Sequence, residues 1–146
     1  MNQNNLNWYR ENGFPKALLS SVEETTNLVE KYYEMKFDDL FVSNIQNGDF
    51  EEYTSLWLFT EQDAVECKHF LNRFDIDIVK YKNNVCYINI IADNNAMISP
   101  EPTSTMRVVI NLNNNLKCTF DAKGHNCQRL SKIAKRFLKE YKALNC

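Results

Sequence analysis

Glycine and proline are scarce in this 146-residue chain, three of each, and histidine occurs twice. So few spacer residues argue against a long flexible linker, and only His69 and His125 are available as an imidazole base. Long apolar runs are missing as well. The longest, such as Leu56-Trp57-Leu58-Phe59, reach about four residues, against the roughly 20 that a helix needs to cross a bilayer. The opening stretch MNQNNLNWYRENGF has neither the basic nor the apolar region of a secretory signal. A Gly-rich phosphate loop, a His-Glu-x-x-His pair and a Gly-x-Ser-x-Gly elbow are all absent. Asp75-Ile76-Asp77 is too sparse for a calcium loop. These absences lead to the expectation of a cytoplasmic protein that needs no metal and no cofactor.

What the chain does have is segregated charge. Residues 116–146 carry eight Lys and Arg against two acids, and residues 38–77 carry ten acids against two bases. The remaining segments nearly cancel, so a formal net charge of −2 conceals two opposed fields. Opposed fields favour partners or self-association. The apolar fraction of 44% and the nine Phe, seven Tyr and two Trp supply a sizeable core and disfavour disorder. At this length one domain spanning 1–146 is the simplest reading. Five widely spaced cysteines, an odd number, read as reduced thiols in a cytosol.

Periodicity predicts the elements. Residues 1–14 read as an irregular lead. Phe14-Pro15 opens a helix to about Met35, with Leu18, Val22, Thr25, Val29 and Tyr32 as its buried stripe. Leu40–Ile45 and Tyr53–Phe59 flank the turn signal Asn47-Gly48-Asp49. Thr60-x-x-Asp63 resembles a capping box and predicts a second helix from Glu61 to about Phe74. Asp75–Lys82 and Val85–Ala92 are expected to form a hairpin about Asn83-Asn84. A loop runs from Asp93 to Thr103. Thr105–Leu112 and Leu116–Asp121 alternate with period two about Asn113–Asn115, the clearest pattern in the chain. Asn126 is a good N-cap for a final amphipathic helix, Cys127 to about Leu144.

The predicted class is therefore α+β, in the order α-ββ-α-ββ-ββ-α, with about six mainly antiparallel strands in hairpins and the C-terminal helix packed on the sheet. A pleckstrin-homology-like half-barrel closed by that helix is one arrangement of these parts. A flat sheet with helices on one face is another.

Candidate sites follow from chemistry-bearing side chains. On the last helix Arg129, Lys132, Arg136 and Lys139 recur by three, four and three opposite the apolar stripe, with Lys135 and Lys142 at the margins. Such a ridge suits an anionic partner, or simply a solvated surface with lysines complementing the helix dipole. Phe137 and Tyr141 belong to the apolar stripe and not to the basic ridge, which disfavours stacking on nucleic-acid bases. The acidic block from Asp38 to Asp77 suits a basic partner. Cys67-Lys68-His69 and His125-Asn126-Cys127 look like mirrored ligand pairs, but residues two apart on a helix diverge by about 200°, so zinc is not expected. Cys127, at a predicted helix start beside His125, is the one candidate nucleophile. In the 93–103 loop, Met97 and Ile98 either meet a partner or fold back on the core.

Weighed together, these features point to a small non-catalytic binding or regulatory module with a protein partner. Its contacts would run through Arg129, Lys132, Lys135, Arg136 and Lys139 and through Met97 and Ile98. Nucleic acid or another anionic surface is the lesser partner class, and a homo-oligomer fits the opposed fields. One alternative is an inhibitor, antidote or chaperone-like protein that holds a basic partner on the 38–77 block. A second is a cysteine-dependent enzyme using Cys127, with His69 or His125 as its base.

Overall fold

Asn12-Gly13-Phe14-Pro15 ends a helix before the first expected one begins. The structure, a computed structural model, describes residues 3–43 and 54–145. Within what reads as an irregular lead, Gln3–Glu11 form α1. Leu6 and Tyr9, one helical turn apart, are fully buried. Gly13 takes φ +80°. The Phe14 N–H donates to the Tyr9 carbonyl at 3.1 Å and the Gly13 N–H to the Arg10 carbonyl at 3.2 Å, the paired bonds of a Schellman stop. The rings of Tyr9 and Phe14 meet edge to face at 4.9 Å, the apolar contact that accompanies such a stop.

Pro15 then admits α2, Lys16–Tyr33. Its buried residues are Leu18, Leu19, Val22, Thr26 and Val29. Tyr32, expected in that stripe, is 68% exposed. The following chain gives β1, Asp39–Ser43, and β2, Ser55–Phe59, paired antiparallel with Leu40 opposite Leu58 and Val42 opposite Leu56. The turn signal Asn47-Gly48-Asp49 between them lies outside the described residues. The Tyr9 hydroxyl accepts the Val42 N–H at 3.0 Å and ties α1 to this strand.

The helix expected over 61–74 is absent, and residues Asp63–Cys67 are strand β3. Thr60 does act as a cap, but of a hairpin. Its hydroxyl accepts the N–H of Asp63 at 2.9 Å and of Gln62 at 3.2 Å, and its own N–H donates to the Asp63 carbonyl at 2.9 Å. Glu61-Gln62 is thus a two-residue loop. β3 lies antiparallel to β2, with Val65 opposite Leu58 and Ala64 opposite Phe59. Cross-strand burial of Ala64, Val65 and Cys67 overrides the local helical signal. β4, Ile76–Lys80, completes a sheet of order β1-β2-β3-β4.

β5, Val85–Ala92, belongs to a different sheet, so Asn83-Asn84 is a turn but not a hairpin. Asn83 takes the left-handed φ of +58° that the sequence suggests, yet the strands on either side pair elsewhere. β6, Thr105–Leu112, and β7, Lys117–Lys123, form the expected hairpin, with Val108 opposite Phe120 and Ile110 opposite Cys118. The second sheet has the order β5-β6-β7. α3, Asn126–Leu138, packs on β6 and β7 and stops short of the expected Leu144. Tyr141, expected on its apolar stripe, is 46% exposed.

Among the described residues the fold is α+β with two separate antiparallel sheets and three α-helices, not one six-stranded sheet and not a half-barrel. The described residues resolve into two compact units, residues 3–43 with 54–79 and residues 80–145. In the first, Leu6, Leu18, Val22, Leu56 and Leu58 are fully buried; in the second, Val108, Ile110, Phe120, Leu130, Ile133 and Phe137 are.

The cysteines differ from the all-reduced expectation. Cys67, Cys118 and Cys127 carry no disulfide, whereas Cys86 is disulfide-bonded. Spacing along the chain hides which segments meet in space. Here the start of β5 meets residues more than fifty positions later: the Lys142 N–H donates to the Val85 carbonyl at 3.1 Å, and Val85 bridges Tyr141.

The Schellman stop makes a specific stability claim. No atom lies within 4 Å of a Cβ placed on Gly13, so Gly13→Ala meets only the backbone penalty of its positive φ. Chemical denaturation should show a loss of about 1 kcal/mol for that variant. An unchanged midpoint would mean that residues 3–14 do not hold this turn.

Candidate functional site

α3 is the element on which most of the candidate residues sit. Its buried side is set by Asn126, Cys127, Arg129, Leu130, Ile133, Ala134 and Phe137. At 100° per residue, Gln128, Lys132, Lys135 and Lys139 fall within about 60° of one another on the opposite side, and all four are exposed. Among the described residues no ion pair reaches Lys132, Lys135 or Lys139. Lys135 lies in the last turn, where a cation complements the helix dipole.

The two arginines part company from this ridge. Arg129 is 3% exposed and belongs to the interior. Arg136 is half-buried, and its Nη1 donates to the Tyr81 hydroxyl at 2.9 Å. Both lie at the margin between the lysine ridge and the apolar stripe, where a long aliphatic stem packs inward. Their spacing alone, three or four from a lysine, gives no sign of that.

The 93–103 loop is held in place by its own turns. The Ala96 N–H donates to the Asp93 carbonyl at 3.0 Å, and the Ser99 N–H to the Asn95 carbonyl at 2.9 Å. Asp93 also accepts the Thr105 N–H at 2.9 Å. Ala96 is fully buried and anchors the loop, leaving Met97 48% and Ile98 83% exposed at its tip.

Cys127 is poorly disposed as a nucleophile. It has no exposed surface, and its thiol lies 3.7 Å from the Ser104 carbonyl. Burial pushes the thiol up to about 11, and Asp93 adds to the effect. The start of α3 favours a thiolate, but desolvation outweighs it. His125 is exposed while Cys127 is enclosed, so the imidazole and the thiol sit in different environments. Cys67 is 1% exposed on β3, and burial pushes its thiol up to about 12. Among the described residues no three His, Cys, Asp or Glu side chains converge as a metal would require.

The acidic block is partly neutralised from within. Lys68 pairs with Asp77, and Arg73 pairs with Asp75 at 3.4 Å. Asp49, Glu51 and Glu52 lie outside the described residues. Glu66 is half-buried on β3, and burial raises its carboxyl above the ordinary value, against the Ser55 hydrogen bond and the nearby Lys68 charge that lower it.

One feature gives no sequence signal. Between α2 and the turn after β3 lies a cavity of about 280 Å³, lined by Glu24, Thr25, Leu28, Phe70, Arg73 and Phe74 among others. Tyr33 stacks on Phe74 beside it at 6.3 Å. The expected helix over 61–74 would have placed Phe74 in the core, and the strand-and-turn path brings it 45% exposed to this rim instead.

No family model, curated protein or solved structure matches this chain.

Two measurements follow. In native protein near pH 8, iodoacetamide should leave Cys67 and Cys127 unmodified by peptide mass, with both labelled once denaturant is added. Rapid native labelling of Cys127 would restore it as a nucleophile. Glu66 has a folded value raised above its unfolded one, so the fold binds the extra proton in the window above pH 4.5 and loses stability as pH rises through it. Glu66→Gln should therefore raise the melting temperature at pH 7, and the gain should close below about pH 4. A variant that melts lower at pH 7 would show that the ionised carboxylate is needed.

Proposed function

We propose that this protein is a non-catalytic binding module that engages an acidic protein surface through the lysine ridge of α3. The supporting observation is the alignment of Lys132, Lys135 and Lys139 on one exposed face, with no ion pair to any of them among the described residues. Each such charge in water contributes little alone, roughly 0.2–1 kcal/mol per pair. Several on one rigid helix act together to steer encounter and fix orientation. Leu138, 49% exposed beside the ridge, adds an apolar contact of the sort that protein interfaces contain.

An acidic protein is favoured over nucleic acid. Arg129 and Arg136 turn away from the ridge, which removes the planar guanidinium forks suited to phosphate. Phe137 is fully buried, so α3 offers no aromatic face for a base. The acidic block is the weaker surface for a basic partner, because Lys68 and Arg73 already occupy two of its carboxylates.

The test uses labelled poly-L-glutamate as the probe, with anionic vesicles and single-stranded oligonucleotide as comparisons. Wild-type protein should bind the polypeptide, more weakly as salt rises. The triple variant Lys132→Glu, Lys135→Glu, Lys139→Glu should lose at least about tenfold in affinity, which is about 1.4 kcal/mol. Equal binding by variant and wild type would refute the reading. Preference for the oligonucleotide would move the partner class to nucleic acid.

A further inference from the structure

β5 is an edge strand of the second sheet. It pairs with β6 on one side, and its sequence VCYINIIA has no charge, proline or glycine. Edges are normally blunted by a lysine, a proline, a bulge or a covering segment. Here the register shift falls between Val85 and Tyr87, at the very start. The C-terminal segment covers part of this edge: Val85 bridges Tyr141 in the parallel sense, the Lys142 N–H donates to the Val85 carbonyl, and the short turn Ala143–Asn145 packs against β5. Beyond it, no further strand pairs with β5 among the described residues.

Both faces of the strand are apolar and incompletely covered. On one, Tyr87 is 50% and Ile91 62% exposed. On the other, Ile88 and Ile90 are only half-buried, although their ladder neighbours Ile110 and Val108 are fully buried. The difference has a cause, since α3 packs on β6 and β7.

We infer that β5 is the edge through which two copies of this chain pair, antiparallel about a two-fold axis at Asn89. The strand's own pattern is symmetric about that residue, as a second copy requires. A register centred on Asn89 sets Tyr87 against Ile91 and Ile88 against Ile90, in both directions at once. Aromatic and β-branched pairs of this kind are favourable cross-strand neighbours. Asn89 meets its own symmetry mate, and an amide carries both donor and acceptor for that contact. An uncharged strand brings no like charge against itself, and a net charge of −2 adds little repulsion at distance. The contact is isologous, so it closes at two copies and doubles the three-stranded sheet. A single strand edge is small beside the roughly 800 Å² per partner of a standard interface, so the association is a weak one.

Sedimentation equilibrium on the full chain, from about 1 μM to about 500 μM, tests this directly. The mass should rise from one chain to two. Tyr87→Lys and Ile91→Lys alter exposed side chains and should keep the wild-type circular dichroism while weakening dimerisation at least about tenfold. Asn89→Cys should crosslink to itself on mild oxidation, because residues facing across the axis lie about 4.5–5.5 Å apart. Ile91→Cys should not, being four positions out of register with its mate. The proposal fails if wild type stays at one chain throughout, if the lysine variants dimerise as wild type does, if the mass climbs past two chains, or if 91–91 crosslinks replace 89–89.

Discussion

Phe137 fixes how α3 is rolled, and what α3 presents depends on that roll. Its ring lies 5.1 Å from Tyr81 and 5.4 Å from Phe120, with no surface left exposed. Ile133 and Leu130, one and two turns earlier on the same side, are fully buried as well. A helix pinned along this line cannot rotate without opening a cavity the size of an aromatic ring, at a cost of about 3–5 kcal/mol. Lys132, Lys135 and Lys139 face outward because this packing leaves them no other direction. Arg136 is drawn inward by the same packing, since Tyr81 offers its hydroxyl at the rim of the aromatic cluster.

The C-terminal unit was legible in the residues because its signals are local and agree with one another. Period two in Met106, Val108, Ile110 and Leu112 matches period two in Cys118, Phe120 and Ala122, and an asparagine turn joins them. The N-terminal unit was harder to read because its local signals fit two structures equally. Thr60-x-x-Asp63 satisfies a helix start and a two-residue hairpin with the same hydroxyl. Only the pairing of Val65 with Leu58 decides, and a partner in another strand cannot be read from a window. α1 did have a signal, Gly13 followed by Phe14 and Pro15, although residues 1–14 read as an irregular lead.

For the candidate surface the outcome divides by side-chain length. The exposed lysines follow from helical spacing. The fate of the arginines does not, because a long stem at the boundary of an apolar stripe reaches either way. Cys127 shows a competition that sequence cannot weigh. A helix start lowers a thiol and burial raises it, and burial becomes visible only when the Ser104 carbonyl and Asp93 are seen beside the sulfur. Asp93 stands thirty-four positions earlier in the chain.

The β6–β7 hairpin and α3 also bear on how this part of the chain acquires its shape. These elements follow one another from residue 105 to 138 and touch in sequence order. Bringing them together closes only short loops, each at small entropic expense. Structures assembled from near neighbours have low contact order and cross their kinetic barrier quickly. β5 joins the same hairpin across the longer 93–104 connection. On a nascent chain β5 emerges first, so its apolar row has no partner until the hairpin that follows it has been made.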